Sequence, residues 1–283
     1  MRIVAIYVLF VVVASQLCRC ADDFGNESDS ESILIVDGYI EVGKKAHVVL
    51  TQAIPVESRI DSSTYLDIVT TRANVRISDG EQSEYLYLRW NKNAFPQHYY
   101  ESEKIRGEEG KTYKLEIVYY DDTVTAHTSI PEPVSVDSVW TIAAKDSLKR
   151  DMWIRLCDNP NQKNYYRTFT RIQSKQHEYV STYLSSFDDN SFTGICEDKP
   201  IYKGNENFYD KSRDFSYSVH DTVALKVVSM NKDAYLFWKN YEKEVFNIGN
   251  PFASYGSNLV SNVSGGGGIW CGYNQRIYKL IIQ

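Results

Sequence analysis

The sequence predicts a mostly β protein. An N-terminal antiparallel β-sandwich of immunoglobulin-like kind precedes a second antiparallel β domain that carries one α-helix. Three observations lead there. Short apolar or alternating runs recur along the 283-residue chain, separated by Gly, Pro, Asp and Asn. Asp79-Gly80 stands between two alternating runs, the strongest short-range hairpin signal. Tyrosine occurs 22 times, and its apolar body with a polar tip suits half-buried pleated surfaces.

The elements follow in order. ILIVDGYI (33–40) reads as a buried strand interrupted by Asp37-Gly38. The turn Glu41-Val42-Gly43-Lys44 leads to AHVVLTQAI (46–54). ANVRIS (73–78) and SEYLYLRW (83–90) are the arms of the Asp79-Gly80 hairpin. Gly107–Lys111 turns the chain into TYKLEIVYY (112–120), and Asp121-Asp122 turns it again into TVTAHTSI (123–130). Pro131-Glu132-Pro133 closes this module, because proline cannot donate to a ladder. The modules are therefore 33–133 and 134–283.

In the second module, strands are expected at 135–144, 152–157, 165–173, 178–186, 221–230 and 269–282. Between the last two lies a helix near 233–247, with Asp233 as its N-cap. Ala234, Phe237, Trp238, Tyr241 and Val245 fall on one helical face. Asn247, Gly249 and Pro251 stop it. Residues 250–268 form a polar loop ending in four glycines, which are either flexible or permit close backbone approach.

The N-terminus indicates export. Arg2 precedes the uncharged run Ile3–Ala14, too short for a membrane span and of the length of a signal-peptide core. Residues 1–19 thus read as a signal peptide. With Cys20 as the lipidated residue, Leu17 takes the −3 position and Ala21-Asp22-Asp23 follow as an acidic surface-export signal. Arg19 sits where a small residue is usual, and Cys18 is the alternative anchor. Residues 20–32 are acidic and polar, a flexible tether. Acyl chains contribute about 0.8 kcal/mol per buried methylene, so such a protein is anchored to the membrane without spanning it.

Removing residues 1–19 takes away Arg2 and Arg19 and no acid, leaving 29 basic against 37 acidic residues, a net charge of −8. An acidic chain without a basic stripe argues against nucleic acid and against adhesion to anionic lipid by charge.

The search for chemistry yields no catalytic constellation. The five histidines, 47, 98, 127, 177 and 220, show neither HxH nor HExxH spacing, so no metal site is expected. No GxSxG elbow occurs, and the glycine run is not followed by a phosphate-binding helix start, so no cofactor is expected either. The acid pairs at 121–122 and 188–189 read as turns. Cys157, Cys196 and Cys271 remain beyond the anchor, and in an oxidising compartment Cys157–Cys196 is the candidate disulfide, with three buried thiols as the alternative. Two aromatic clusters are candidate ligand or partner contacts: Phe95, His98, Tyr99 and Tyr100 in a loop of the first module, and Phe252, Tyr255, Trp270 and Tyr273 around the glycine loop.

Several blocks carry a family resemblance. VDGYIEVGKKAHVVLTQAIP, ANVRISDG, GKTYKLEI and TSIPEPVSVDSVW resemble the N-terminal half of the domain-of-unknown-function 4249 family of Bacteroidetes outer-membrane lipoproteins. NYYRTFT, FDD, DTVALKVVSMNKDAYLFWKNYEKEV, NPFAS and GGGGIWCGY are similar to its C-terminal blocks, in the same order. The resemblance implies an outer-membrane lipoprotein working beside a TonB-dependent receptor, and it supplies no catalytic residues. The expected role is non-enzymatic capture of a small molecule, glycan or peptide for such a transporter. The alternatives are a cell-surface adhesion or envelope-scaffold protein and a glycan- or peptide-active hydrolase.

Overall fold

Strand β1 (Leu34–Glu41) sets the layout through its alternation. Leu34, Val36, Gly38 and Ile40 point into a hydrophobic core, which leaves Ile35, Asp37, Tyr39 and Glu41 on the opposite face. Asp37-Gly38 does not interrupt the strand: both residues pair on both sides, with β2 and with β17. The computed structural model describes residues 33–53, 68–204, 214–247 and 259–283.

The further strands are β2 (Lys45–Gln52), β3 (Asn74–Ser78), β4 (Ser83–Tyr85), β5 (Tyr87–Trp90), β6 (His98–Arg106), β7 (Thr112–Tyr119) and β8 (Asp122–Ser129). Then come β9 (Val136–Ala143), β10 (Lys149–Cys157), β11 (Tyr165–Ile172), β12 (Val180–Asp188), β13 (Cys196–Ile201), β14 (Tyr217–Ser218) and β15 (Thr222–Met230). Helix α1 (Lys232–Asn247) precedes β16 (Val263–Ser264) and β17 (Gly267–Ile281). The protein is mostly β, with several antiparallel sheets and one principal helix.

An eight-stranded sheet of order β12-β11-β15-β17-β1-β2-β6-β5 forms the centre. Its pairs are antiparallel except β1 with β17, which run parallel. One face carries two smaller sheets. The five-stranded sheet β16-β8-β7-β3-β4 packs on β1, β2 and β6 through Val36, Val48, Leu50, Tyr113, Leu115, Ile117 and Trp270. The sheet β13-β10-β14, with β9 alongside β10, packs on β11 and β15 through Met152, Ile154, Tyr166, Leu225 and Val227. Residues Ile33–Gln283 form one compact unit, and the central sheet draws strands from both sides of Pro131–Pro133. That proline segment is pinned to the sheet: the carbonyl of Pro131 accepts from Asn274 Nδ2 and that of Glu132 from Ser229 Oγ.

Three local differences from the sequence expectations have clear causes. The run 83–90 is two strands, because Leu86 turns into the core and donates its N–H to Val75, passing the chain from one sheet to the other. Residues 98–106, whose start reads as loop, form β6, and a register shift against β2 breaks the alternation that would reveal it. The helix is capped by Asn231, not Asp233: Asn231 Oδ1 accepts from the Ala234 N–H at 2.9 Å.

Cys157 and Cys196 are joined by a disulfide where β10 and β13 pair directly across from one another. Cys271 is buried and free.

Candidate functional site

The second face of the central sheet is of a different character from the core. Register puts Asp37 beside Ile269, Tyr39 beside Cys271 and His47, and Glu41 beside Tyr273. On β15 and β11 the same face carries Lys226, Val228 and Met230, then Tyr165, Arg167 and Phe169. The apolar members pack under α1, which lies over β12, β11 and β17. Across β6, β2 and β1, the face bears rings and charges.

The rings form a row. Tyr99 stacks on His47 with centroids 4.4 Å apart, and His47 stacks on Tyr39 at 5.1 Å. Tyr39 lies 6.1 Å from Tyr273, which meets Phe169 edge-on at 6.5 Å. The phenol of Tyr273 accepts from the indole N–H of Trp238 at 2.9 Å, tying α1 to β17.

The charges are held in distinct ways. Glu41 pairs with Lys226, Oε1 to Nζ 2.6 Å, and both are largely buried. Arg167 is buried with its guanidinium centre 3.6 Å from the Trp238 ring centroid and 4.8 Å from that of Phe169. Its Nε and Nη2 each donate to a serine hydroxyl, of Ser185 and Ser181, at 3.2 Å. Those serines are braced in turn: Ser181 donates to Ser185, and Ser185 to Glu242 of α1.

Asp37 differs from all of these. Among the described residues it has no hydrogen-bond or ion-pair partner, and its side chain keeps open surface. Desolvation nevertheless pushes its carboxyl above the ordinary range, with Arg167 pulling it back. The carboxylate is thus exposed yet poorly solvated. Its neighbours feel the same environment. Burial drives the His47 imidazole down to about 4 against the upward pull of Glu101, so it is neutral near pH 7. Burial also raises the phenols of Tyr39 and Tyr273, and lifts the Cys271 thiol to about 11. That thiol is therefore packed and unreactive.

His47 gives a pH test. Its ordinary value is 6.5 and its folded value about 4, so between these the unfolded chain binds the extra proton. Stability contributed by the neutral imidazole is present above pH 6.5 and lost as pH falls toward 4. Asp37 runs the opposite way, so the comparison must be with His47→Phe, which keeps the ring stack and does not titrate. Urea unfolding at pH 7 and pH 4.5 should show the wild type losing on the order of 2 kcal/mol more than the variant. Equal losses would exclude a depressed imidazole.

The residues singled out in the sequence are distributed unevenly. Tyr99 and Tyr273 belong to the ring row. Tyr100 is in the core, 3% exposed, with its hydroxyl accepting from the Ala73 N–H. Strand alternation thus sends neighbours Tyr99 and Tyr100 to opposite faces, so the cluster 95–100 is not one surface. Trp270 is also a core residue, not a contact: it is 0% exposed, and its indole N–H donates to the Tyr113 carbonyl. His98 stands at the start of β6 opposite Trp90, and Phe95 is 82% exposed in the preceding loop. Phe252, Tyr255, Cys18 and Cys20 lie outside the described residues.

Asp37, Tyr39, His47, Arg167 and Trp238 were not legible as a group. One signal was present: an acid within an otherwise apolar strand, with Tyr39 and Glu41 following at the period of two that puts all three on one face.

A family model described as a domain of unknown function, DUF4249, matches residues 22–278. No curated protein matches the chain. With almost the whole sequence spanned by that match, the chain belongs to the DUF4249 family.

Proposed function

We propose that this protein is a non-enzymatic ligand-capture lipoprotein, lipidated at Cys20 and held on the outer-membrane surface beside a TonB-dependent transporter. The observation that carries the reading is Asp37: an accessible carboxylate without a hydrogen-bond or ion-pair partner among the described residues, poorly solvated on a face rich in aromatic side chains. Such a group is incompletely solvated and keeps its oxygens free of protein donors, ready to accept from a ligand. Binding fits the site better than hydrolysis by a carboxylate pair or a thiolate: Glu41 is neutralised by Lys226 and the Cys271 thiol is held protonated, so neither stands free beside Asp37. The sequence Leu17-x-x-Cys20-Ala-Asp-Asp and the family membership support the anchor and the location. A short tether then raises the effective concentration of the binding module at the transporter toward mM values.

The test is recovery from native membranes in mild detergent through a C-terminal tag, with mass spectrometry of what is retained. A TonB-dependent barrel should co-purify, and Cys20→Ala should move the protein into the aqueous phase of a Triton X-114 partition and lose the barrel. A wild-type protein that is lipid-free and aqueous would end the proposal.

A second reading, docking of another protein, draws on a different feature. Strand β5 is the edge of the central sheet, and Tyr87, Leu88 and Trp90 on it are 56%, 42% and 60% exposed. In the same pull-down, an envelope protein retained without any transporter would favour it.

A further inference from the structure

The chemistry of this face narrows what it can hold, given its reading as a ligand site. Tyr39, His47 and Tyr99 lie nearly parallel, with interplanar angles of 24° and 25°. His47 is thus sandwiched between the two tyrosines, and the stack leaves its polar edges, two phenol hydroxyls and the imidazole nitrogens, to a ligand. None of these edge atoms has a hydrogen-bond partner among the described residues, and none is a fully buried unsatisfied atom. A neutral imidazole supplies one donor and one acceptor, and each phenol supplies both in a single group. Asp37 adds an acceptor with two oxygens.

The charges of this face offset one another. Glu41 is matched by Lys226 at 2.6 Å. Asp37 stands in the field of Arg167, whose guanidinium is immobilised by two serines and the Trp238 ring. An organic cation drawn by Asp37 is repelled by Arg167, and an anion meets the reverse. A neutral molecule meets neither penalty. The polar edges ask for groups that donate and accept at once, which is the property of a hydroxyl. Exposed Tyr241 on α1, set edge-on to Trp238 at 5.6 Å, offers an aromatic surface for the C–H face of a ring.

We infer that this face of β1, β2 and β6 binds a neutral polyhydroxylated ligand, a saccharide, with hydroxyls donating to Asp37 and engaging the edges of Tyr39, His47 and Tyr99. Asp37 is the specificity-determining residue, because a site built to accept from a hydroxyl discriminates strongly against molecules that lack it.

The mature chain should be titrated by NMR with neutral hexoses, pentoses, N-acetylhexosamines and common disaccharides at up to about 50 mM. Choline and glycylglycine serve as cationic and zwitterionic probes. At least one saccharide should shift the Tyr39, His47 and Tyr99 resonances saturably. Asp37→Asn should weaken that binding about tenfold or more, and Tyr39→Phe several-fold. Both variants keep their size, and an unchanged near-UV circular dichroism spectrum checks their folding. If choline or glycylglycine saturates these resonances and the saccharides do not, the face is a ligand site of another class and this inference falls alone. Saccharide binding indifferent to both variants lies elsewhere and also overturns it. If no probe of any class shifts these residues, the capture reading falls with it.

Discussion

Gly268→Ala should abolish folding or cost about 4 kcal/mol or more, the loss typical of a steric fault in a fully packed core. A Cβ at this position would sit 2.0 Å from the Val36 carbonyl oxygen and 2.8 Å from its carbon, and the glycine holds φ at +98°. Neither strand can retreat. Gly268 and Val36 are register partners in the parallel β1–β17 pair, and Val36 is held on its other side by Leu50 of β2. The change therefore strikes the one parallel junction through which the C-terminal strand closes the central sheet. Gly110→Ala is the control: its φ is +77°, with nothing within 4 Å of a new Cβ, so it should cost only the left-handed strain of about 1–2 kcal/mol. Urea denaturation of both variants measures the difference, and similar midpoints would show that β1 and β17 do not meet in this register.

Removal of the Cys157–Cys196 disulfide has the second largest expected effect. The bond spans 39 residues, for which the chain-entropy model gives about 4 kcal/mol. The bond joins the paired strands β10 and β13 of one flanking sheet, and the segment it encloses carries β11 and β12 of the central sheet. The double variant Cys157→Ser, Cys196→Ser should melt roughly 8–16 °C below the wild type. Dithiothreitol should lower the wild type by a similar amount and leave the double variant unmoved. A reductant effect on both would point to something other than this bond.

How far the architecture can be read from the residues alone depends on where the deciding interaction is made. Alternation in 73–78, 112–120 and 123–130, the Asp79-Gly80 turn and the helical face from Ala234 to Val245 are local periodicities, so they identify their elements without a partner strand. Strand β6 escaped because a register shift against β2 breaks its period, and the switch at Leu86 escaped because it depends on which sheet each half joins. The four-glycine run left two readings open, and the contacts of Gly268 with β1 select close backbone approach.

The sequence by itself determined the class of fold, most of the elements and the family, since these rest on period, turn chemistry and ordered blocks. It also carried the parity of each strand, by which Asp37, Tyr39 and Glu41 share a face. Tertiary structure alone decided what that face is. His47, Tyr99, Arg167 and Trp238 come from β2, β6, β11 and α1, and only the strand order and register set them around Asp37. It also decided that Tyr100 and Trp270 are core, that Tyr273 is buried in the cluster under α1, and that only Tyr99 of the four stays partly open. The physical reason is that a side chain's solvation is fixed by its neighbours across strands, and those neighbours lie tens to hundreds of residues away in the chain.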